Sequence, residues 1–441
     1  MKTNITRRRF IKQVATTGLA LPLLLPRLSL AQSPNGKLRH ACVGVGGMGW
    51  ADLNSINSSS LVDIVALCDV DENNLNKAAQ AFPQAKKYRD WREMLEKEQK
   101  NIDSLNVSTP DHMHAPVAMS ALNLGKHIYC QKPLTHEVFE SRQLTLAARQ
   151  AKVVTQMGIQ IHSEIVYRTA VKLIQNGAIG KIKTWYSWQG GNPWPHGDRP
   201  DYADPIPLTL DWDKWIGVAP FRPYKANIYH PTNWRGWQDF GCGVLGDFAC
   251  HILDPVFSAL QITCPTTIRG QSAPMNSETW PVWNIIEYEF PGTPYTAAKT
   301  IKGAWCDGKQ PPEGLIELPE GQNLPAAGSL ILGEEGAIVL PHIGGPQLYP
   351  KENFKDYPRP KLEPDNHYHQ WVKACLGQGK ATADFDFSGP LTETVLLGNV
   401  AIRFPDKTLN WDAAQFKFTN NDDANQFLRR DYRKGWQVAG L

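Results

Sequence analysis

Short apolar runs alternate with amphipathic segments through the first third of the chain, beyond an N-terminal leader. Strand-like runs occupy residues 41–45, 64–68, 103–108, 127–130 and 153–157, and segments with helical apolar spacing occupy residues 116–124 and 136–151. Regular alternation of strand and helix predicts an α/β domain over residues 37–157, with a doubly wound parallel sheet.

The pattern changes from residue 158 onward, where Trp, Pro and Gly become frequent. Strand-like runs at residues 182–188, 284–290, 295–302 and 329–332 predict an α+β domain over residues 158–441 with a large, mostly antiparallel sheet. Residues 368–376 and 389–402 have the pattern of helices. The polar tail, residues 420–441, is expected to pack on a neighbouring surface or subunit.

A glycine-rich turn follows the first predicted strand. Gly44, Gly46 and Gly49 stand in G-x-G-x-x-G spacing and lead into a helix. The first glycine permits a tight turn, the second lets the backbone approach a pyrophosphate, and the third lets the helix pack on the strand. Amides at the helix N-terminus then face the phosphates. Strand, turn and helix together predict a dinucleotide-binding loop, which includes Gly47 and Met48.

The second strand ends at Asp69, twenty residues after the last glycine. A carboxylate at this distance accepts hydrogen bonds from the ribose hydroxyls of NAD. The same charge repels the 2′-phosphate of NADP, so NAD is favoured over NADP.

The first 31 residues predict an export signal rather than part of the fold. Arg7 and Arg8 precede an apolar segment, residues 14–25, and a small-x-small site ending at Ala31. This order is typical of a twin-arginine signal peptide, and the apolar segment is too short for a transmembrane span. We therefore expect the twin-arginine translocase as a partner and a periplasmic or otherwise exported mature protein.

Composition narrows the function classes. A net charge of +3 over 441 residues, with no basic run beyond the leader, argues against nucleic-acid binding. The eight cysteines are scattered without a C-x-x-C pair, so neither a metal site nor a disulfide scaffold is expected.

Candidate chemistry falls at the carboxyl ends of the predicted parallel strands, where open α/β sheets bind ligands. Thr109 and Pro110 follow one strand, and Gln131 and Lys132 follow the next. A lysine beside a nicotinamide can hold a substrate hydroxyl and act as a general acid or base. Taken alone, a surface lysine is the simpler interpretation.

A second candidate is a glycine-led helix that carries Asp247 and His251. Their four-residue spacing places both side chains on one helix face, so the carboxylate could position the histidine or bind a substrate hydroxyl. A capping Asp and a core His are the structural alternatives. His162 and Arg168 follow the last parallel strand and could line the same cleft.

Ten of the fifteen tryptophans lie between residues 185 and 305. Sugars stack their C–H faces on aromatic rings, so two or three of these side chains are candidate carbohydrate contacts. Trp234 and the neighbouring Arg235 are predicted to bind the substrate. Most of the others are expected in the core.

With these motifs in place, the chain from residue 38 onward resembles the Gfo/Idh/MocA oxidoreductases, the group of glucose-fructose oxidoreductase and inositol dehydrogenase. The motifs that match in order are Gly44-x-Gly46-Gly47-x-Gly49, Asp69, Ser108-Thr109-Pro110-Asp111-x-x-His114, Gly125-Lys126-His127, Lys132-Pro133 and Asp247-x-x-x-His251. The resemblance implies NAD(P) against the N-terminal domain, with His114 beside it, and a sugar or polyol against the second sheet. It also implies catalytic roles for Lys132, Asp247 and His251, and a homodimer or homotetramer.

The chain departs from the family pattern at Gln131, where a glutamate usually precedes the lysine. Loss of that carboxylate is expected to favour neutral Lys132 relative to the family's usual arrangement, which would retune or abolish the chemistry. Three functions remain open at this stage. An oxidoreductase acting on a sugar, glycoside or polyol with tightly held, recycled NAD is favoured. A glycosidase working through transient oxidation and elimination is the second, and a noncatalytic sugar-binding protein is the third.

Overall fold

The computed structural model describes residues 36–441, so the predicted export signal lies outside the described residues. The N-terminal domain is a six-stranded parallel sheet in the order β3-β2-β1-β4-β5-β6. Its strands are β1 Leu38–Val43, β2 Val62–Cys68, β3 Lys86–Tyr88, β4 Ser104–Val107, β5 His127–Gln131 and β6 Thr155–Gly158.

A helix lies between each two consecutive strands of this sheet. These helices are α1 Met48–Asn57, α2 Glu72–Ala81, α3 Trp91–Glu98, α4 His114–Asn123 and α5 Val138–Ala151. The strands β4, β5 and β6 are buried along their whole length, including polar residues such as Asn106, Gln131 and Gln156. The predicted doubly wound parallel sheet is confirmed.

The second domain contains a nine-stranded sheet in the order β13-β12-β11-β7-β10-β9-β8-β14-β15. Only the β7–β10 pair is parallel among the pairings of this sheet in the described residues. The strands are β7 Ile182–Gln189, β8 Thr267–Ser272, β9 Asn284–Pro291, β10 Thr300–Asp307, β11 Ala327–Gly333, β12 Ala337–Pro341, β13 Gln347–Tyr349, β14 Thr408–Asp412 and β15 Lys417–Phe418.

The remaining helices are α6 Ile165–Gln175, α7 Trp212–Ile216, α8 Gly243–Leu260, α9 His367–Cys375, α10 Phe385–Ala401 and α11 Asp422–Asn425. The long helix α8 lies in the core between the sheet and α10. Of the described helices, α8 alone is long and apolar enough to cross a membrane, but 78% of that stretch is buried inside the protein. Its hydrophobicity is therefore explained by its place in the core.

One predicted strand is displaced. The sequence pattern indicates a strand at residues 295–302, whereas β10 begins at Thr300 and continues to Asp307. The Thr296 hydroxyl bonds the carbonyl oxygens of Thr293 and Ala298, which holds the preceding residues in a turn. Local side-chain bonds therefore override the apolar pattern here.

A segment of the second domain, residues 203–240, extends over the carboxyl edge of the first sheet; we call it the cap. It has its own small core of Leu210, Trp212, Trp215, Ile216, Ala219, Tyr224, Tyr229, Trp234, Trp237 and Phe240. The backbone of Glu72 donates to the Thr209 carbonyl oxygen at 2.9 Å, and that of Asp211 donates to the Val70 carbonyl oxygen at 3.0 Å. The cap is thus hydrogen-bonded directly to the first domain.

The C-terminal tail packs on the first domain of the same chain. Trp436 is buried, with the Arg92 guanidinium 4.0 Å from the centre of its ring. Arg433 Nε donates to the Gly217 carbonyl oxygen at 2.9 Å, and the Asn123 side chain donates to the Ala439 carbonyl oxygen. The tail therefore ties the cap to the first domain.

Candidate active site

A cavity of about 470 Å³ lies between the carboxyl ends of β1, β2, β4 and β5 and the cap. This volume is in the range of small-molecule and cofactor sites. The predicted residues that line it are Gly44, Gly46, Gly47, Met48, Asp69, Thr109, Pro110, His114, Gln131, Lys132, Trp234 and Arg235. Residues predicted from separate sequence motifs thus surround one space.

The glycine loop forms the floor of this cavity. Gly44 has a φ of +80°, and a Cβ there would lie 2.4 Å from the Ser108 carbonyl oxygen. A Cβ on Gly49 would lie 2.1 Å from the Gly44 carbonyl oxygen, so this third glycine permits close packing of α1 rather than lining the cavity. No side chain caps the start of α1. The loop therefore offers backbone groups to an anionic ligand.

Asp69 braces this loop from the end of β2. One carboxylate oxygen accepts from the Val45 amide and the other from the Asp71 amide, each at 2.9 Å. Burial raises the pKa of this carboxyl group. Asp69 also lines the cavity, where its remaining lone pairs can accept from ribose hydroxyls.

The residues present fit a dinucleotide. The backbone of the glycine loop can contact a pyrophosphate, because no side chain on these glycines blocks the approach. Asp69 can accept hydrogen bonds from a ribose. The Thr109 hydroxyl is buried at the cavity wall without a hydrogen-bond partner among the described residues, so it is available to a ligand. His114 has a different role, because its two ring nitrogens face the carbonyl oxygens of Pro133 and Thr109 at 2.8 Å and join two strand-end loops.

At the far end of the cavity, Lys132 forms an ion pair with Asp247. Its Nζ donates to the Asp247 carboxylate and, at 2.8 Å, to the Asp247 carbonyl oxygen. Arg235 Nε lies 3.4 Å from the same carboxylate, and its guanidinium stacks on Trp234. Burial raises the pKa of Asp247, but the two positive charges outweigh that effect and hold it below its ordinary value.

The structure corrects one expected role of Asp247. It lies on the same face of α8 as His251, but its carboxylate bonds Lys132 and Arg235 rather than the histidine. His251 instead has a buried Nδ1 with no partner among the described residues, and its ring centre lies 5.8 Å from that of His342. Burial, reinforced by the charge of Lys132, lowers the pKa of His251 well below its ordinary value. The neutral form of the His251 ring is therefore favoured near neutral pH.

Gln131 is joined to a carboxylate that sequence reasoning missed. Its side-chain nitrogen lies 3.0 and 2.9 Å from the two oxygens of Asp52, which also accept from the hydroxyls of Ser108 and Tyr368. Burial raises the pKa of Asp52 to about 6. Lys132 nevertheless has a carboxylate beside it, because Asp247 pairs with it directly. In the sequence, Asp52 could have been noticed as an acidic residue three positions after Gly49, in the helix that follows the glycine loop.

Asp111, from the sequence motif that also contains Thr109 and His114, belongs to the site as well. It lines the cavity, and its carboxylate accepts from the Cys242 amide at 3.0 Å, beside the start of α8. Burial raises its pKa to about 6. Asp111 therefore holds the helix that carries Asp247 against the first domain.

The predicted substrate residues separate into two groups. Trp234 and Arg235 line the cavity beside Asp247. His162 lies farther along α8, where its Nδ1 is 2.6 Å from Asp254 Oδ1. Arg168 donates instead to the Glu363 carbonyl oxygen at 2.7 Å in an exposed position. The described residues include no group of three side chains arranged to hold a metal ion.

The fold and this site define a protein with an NAD-binding Rossmann domain and a second α/β domain that closes its cofactor cavity. Comparison with known families gives the same result. Residues 38–159 match the oxidoreductase family NAD-binding Rossmann fold (GFO_IDH_MocA), and residues 164–323 match the C-terminal alpha/beta domain of that family. The chain belongs to the Gfo/Idh/MocA oxidoreductase family.

Curated relatives align over part of their length. Levoglucosan dehydrogenase of Pseudarthrobacter phenanthrenivorans is 28% identical over 40% of this chain and 37% of its own. Myo-inositol 2-dehydrogenase of Thermotoga maritima is 23% identical over 41% of this chain and 49% of its own. This chain therefore spans less than half of each of these relatives.

Solved structures show the same fold over most of the chain. The WlbA dehydrogenase from Bordetella pertussis, in complex with NADH and UDP-GlcNAcA, is similar with a TM-score of 0.60 and 17% identity, covering 85% of this chain and 99% of its own. The aldose-aldose oxidoreductase from Caulobacter crescentus, complexed with glycerol, gives 0.56 and 16%, covering 85% and 100%.

Proposed function

We propose that the protein is an NAD-dependent oxidoreductase that acts on a sugar, glycoside or polyol hydroxyl. The observation that carries the proposal is the position of Lys132. Its ammonium group lies at the end of the dinucleotide cavity, paired with Asp247 from the second domain. A substrate hydroxyl group placed there can accept a hydrogen bond from Lys132 while it lies beside the cofactor cavity.

The side chains divide the proton chemistry between them. Bound NAD supplies the hydride acceptor. Lys132 donates a hydrogen bond to the substrate oxygen and stabilises the negative charge that develops on it. We assign the hydroxyl proton to His251, because it lies on the same face of α8 as Asp247 and its buried Nδ1 has no hydrogen-bond partner among the described residues. Asp247 holds Lys132 and Arg235 in place as their shared counter-charge.

A carbohydrate substrate fits the wall of the cavity. Trp234 presents an aromatic side chain beside Arg235, which also stacks on Trp194 at 5.0 Å from its ring centre. Trp215 and Trp91 line the same space. The other tryptophans of the 185–305 region that are deeply buried serve the core, among them Trp185, Trp188 and Trp305. Relatives named for levoglucosan and myo-inositol support a substrate of this class.

The cap over one side of the cavity supports a cofactor that stays bound through the catalytic cycle. The cap covers the cavity from the second domain, and the tail fastens the cap at Gly217 and Val218. Retention also suits an exported enzyme, because free nicotinamide cofactor is scarce outside the cytoplasm. The predicted twin-arginine signal carries folded proteins, so NAD could be loaded before export.

The test is a single-turnover reaction of NAD-loaded mature protein with a panel of sugars, glycosides and polyols, following the absorbance of NADH. At least one substrate is expected to reduce the bound NAD. Lys132→Met should abolish the reaction while leaving NAD content unchanged, and exposed Lys97→Met is the matched control. The proposal fails if no substrate in the panel reduces the cofactor, or if Lys132→Met reacts like the native protein.

A further inference from the structure

A second cavity, of about 280 Å³, lies beside the start of α5 and shares no lining residue with the cofactor cavity. Four parts of the chain surround it: the turn before α5, the cap, the end of α10 and the tail. They contribute, among others, His136, Asp239, Arg403 and Arg430. Because none of these residues takes part in the chemistry described so far, the cavity has no role in the proposed reaction.

Arg403, which follows α10, places a largely buried positive charge at this cavity. Its Nη2 donates to Gln238 Oε1 at 2.9 Å, and its guanidinium stacks 5.2 Å and 4.7 Å from the ring centres of Trp280 and Phe427. Within the part of the chain that the structure describes, no carboxylate lies at ion-pairing distance, and Nε and Nη1 have no hydrogen-bond partner. Burial lowers the pKa of Arg403. A guanidinium in this state favours an anionic partner, since buried charges are normally paired.

Arg430, from the tail, adds a second guanidinium. Its Nη1 donates to the Asp239 carbonyl oxygen at 2.8 Å, which leaves Nε and Nη2 buried without a hydrogen-bond partner among the described residues. These two nitrogens share one edge of the guanidinium, the edge that binds an oxyanion through two parallel hydrogen bonds. Glu137 Oε1 lies 3.5 Å from Nε, but it is also 2.8 Å from His136 Nδ1.

His136 supplies a further polar atom at the same cavity. The residue is only 8% exposed, and its Nε2 is buried with no partner among the residues that the structure describes. This nitrogen donates a hydrogen bond when the ring is protonated. Donors from three separate parts of the chain therefore line one space.

The acidic residues around the cavity are engaged elsewhere or exposed. Asp239 lies 2.6 Å from Arg222 Nε and 3.9 Å from Arg199 Nη2. Asp431 is exposed, and it is matched by a third arginine, Arg429, on the same wall. Two guanidinium groups with free donors thus outweigh the carboxylates that are left to repel an anion.

We infer that this cavity is a binding site for a small oxyanion, a phosphate or carboxylate group held between Arg403 and Arg430; we call it the anion site. Its volume lies just below the range of drug-sized sites, about 300–1,000 Å³, so it suits a small ligand rather than a second dinucleotide. The inference does not depend on which reaction the cavity beside Lys132 catalyses.

The position of the anion site gives the ligand a regulatory effect. His136 stands four residues after Lys132 in the same loop. Asn399 also lines the site and donates to the Cys242 carbonyl oxygen at 3.0 Å, next to the helix that carries Asp247. The cap and the tail form the remaining walls. A bound anion therefore joins the cap to the elements that hold the active site and should slow the release of NAD.

The test is calorimetric titration of NAD-saturated protein with inorganic phosphate and, separately, with malonate. Saturating NAD occupies the glycine loop, so phosphate cannot bind there. We expect one anion per chain, and Arg403→Met should weaken its binding roughly tenfold or more, the effect of losing a charged hydrogen bond. Arg359→Met, in an exposed residue that donates to the Pro346 carbonyl oxygen, is the control and should bind like the native protein.

Arg403→Lys keeps the positive charge but loses the planar fork, and it serves as the test if Arg403→Met does not fold. Binding of phosphate alone assigns a phosphate-bearing ligand, binding of malonate alone assigns a carboxylate, and binding of both assigns a general oxyanion site.

A second readout is the rate of NAD release, which saturating anion should slow roughly fivefold or more in the native protein and leave unchanged in the Arg403 variants. The inference is overturned if neither anion binds the NAD-saturated protein, or if both Arg403 variants bind it as tightly as the native protein, which is the result for an adventitious ion only. Binding that depends on Arg403 without slower NAD release would refute the coupling to the cap.

Discussion

Removing the charge of Asp247 while keeping its shape tests the ion pair at the centre of the site. Asp247→Asn leaves the Lys132 ammonium with the carbonyl oxygen at 2.8 Å but without its counter-ion, and Arg235 loses the same carboxylate. Breaking a fully buried pair costs about 3–5 kcal/mol. The Lys132 and Asp247 side chains retain 17% and 13% exposure, and the carbonyl contact remains. We therefore expect a loss of about 2–3 kcal/mol, nearer the value of a charged hydrogen bond.

The pH dependence of this loss follows from the lowered pKa of Asp247. A carboxyl group whose pKa is lower in the folded protein stabilises the fold above its unfolded value, 3.8, and loses that effect as the pH falls through its folded value. The difference between native and Asp247→Asn protein should therefore be complete near neutral pH and shrink only in strongly acid solution.

The assay is urea unfolding at fixed, saturating NAD, together with single-turnover reduction of the bound cofactor. We expect the reaction to slow about 100-fold or more, because Lys132 loses the group that positions it. Asp63→Asn is the control, since both side chains of its pair with Lys37 are 41% exposed. If Asp247→Asn matched that control in both stability and rate, the ion pair with Lys132 would contribute to neither.

Three further predictions concern the cavity floor, the Gln131 network and the cap. Gly49→Ala places a Cβ against the Gly44 carbonyl oxygen, so it should lower the free energy of unfolding by about 1–3 kcal/mol and remove most of the NAD affinity. Calorimetry measures both effects, and Gly191→Ala, whose Cβ would have no neighbour within 4 Å, is the control. Gln131→Glu sets a second carboxylate against Asp52, whose pKa is already raised to about 6. We expect about 2 kcal/mol of destabilisation at about pH 8 that shrinks toward about pH 5, where the pair shares a proton; a loss independent of pH in urea unfolding would contradict this. Arg433→Ala removes side-chain hydrogen bonds to Gly217 and Asp213 and should speed NAD release by roughly tenfold or more. Arg149→Ala, at an exposed ion pair, is the control. Equal release rates for the two variants would show that the tail does not fasten the cap.

Much of the fold could be predicted from the chain because its signals are local. The glycine spacing, the apolar runs of β4 and β5 and the i, i+4 pair on α8 each depend on neighbouring residues only. The same local logic placed Lys132 at a strand end. It could not show that Asp247 bonds Lys132 instead of His251, since that choice depends on how the two domains pack.

The remaining site residues were hidden by distance in the sequence. Asp52 meets Tyr368 across 316 residues, and Asp254 meets His162 across 92. The high frequency of tryptophan in the cap is visible in the sequence. That these side chains form one small core above the cavity depends on the tertiary structure. The predicted strand at 295–302 was displaced because Thr296 stabilises a turn that apolar spacing does not reveal.

The amount of nucleotide held by the purified, exhaustively dialysed protein tests directly whether the cavity retains its cofactor. Heat-released nucleotide would be identified by mass spectrometry and quantified per chain. A cavity covered by the cap and carrying Asp69 predicts NAD, rather than NADP, at close to one molecule per chain. Protein that emerges empty and binds neither added nucleotide would contradict the account.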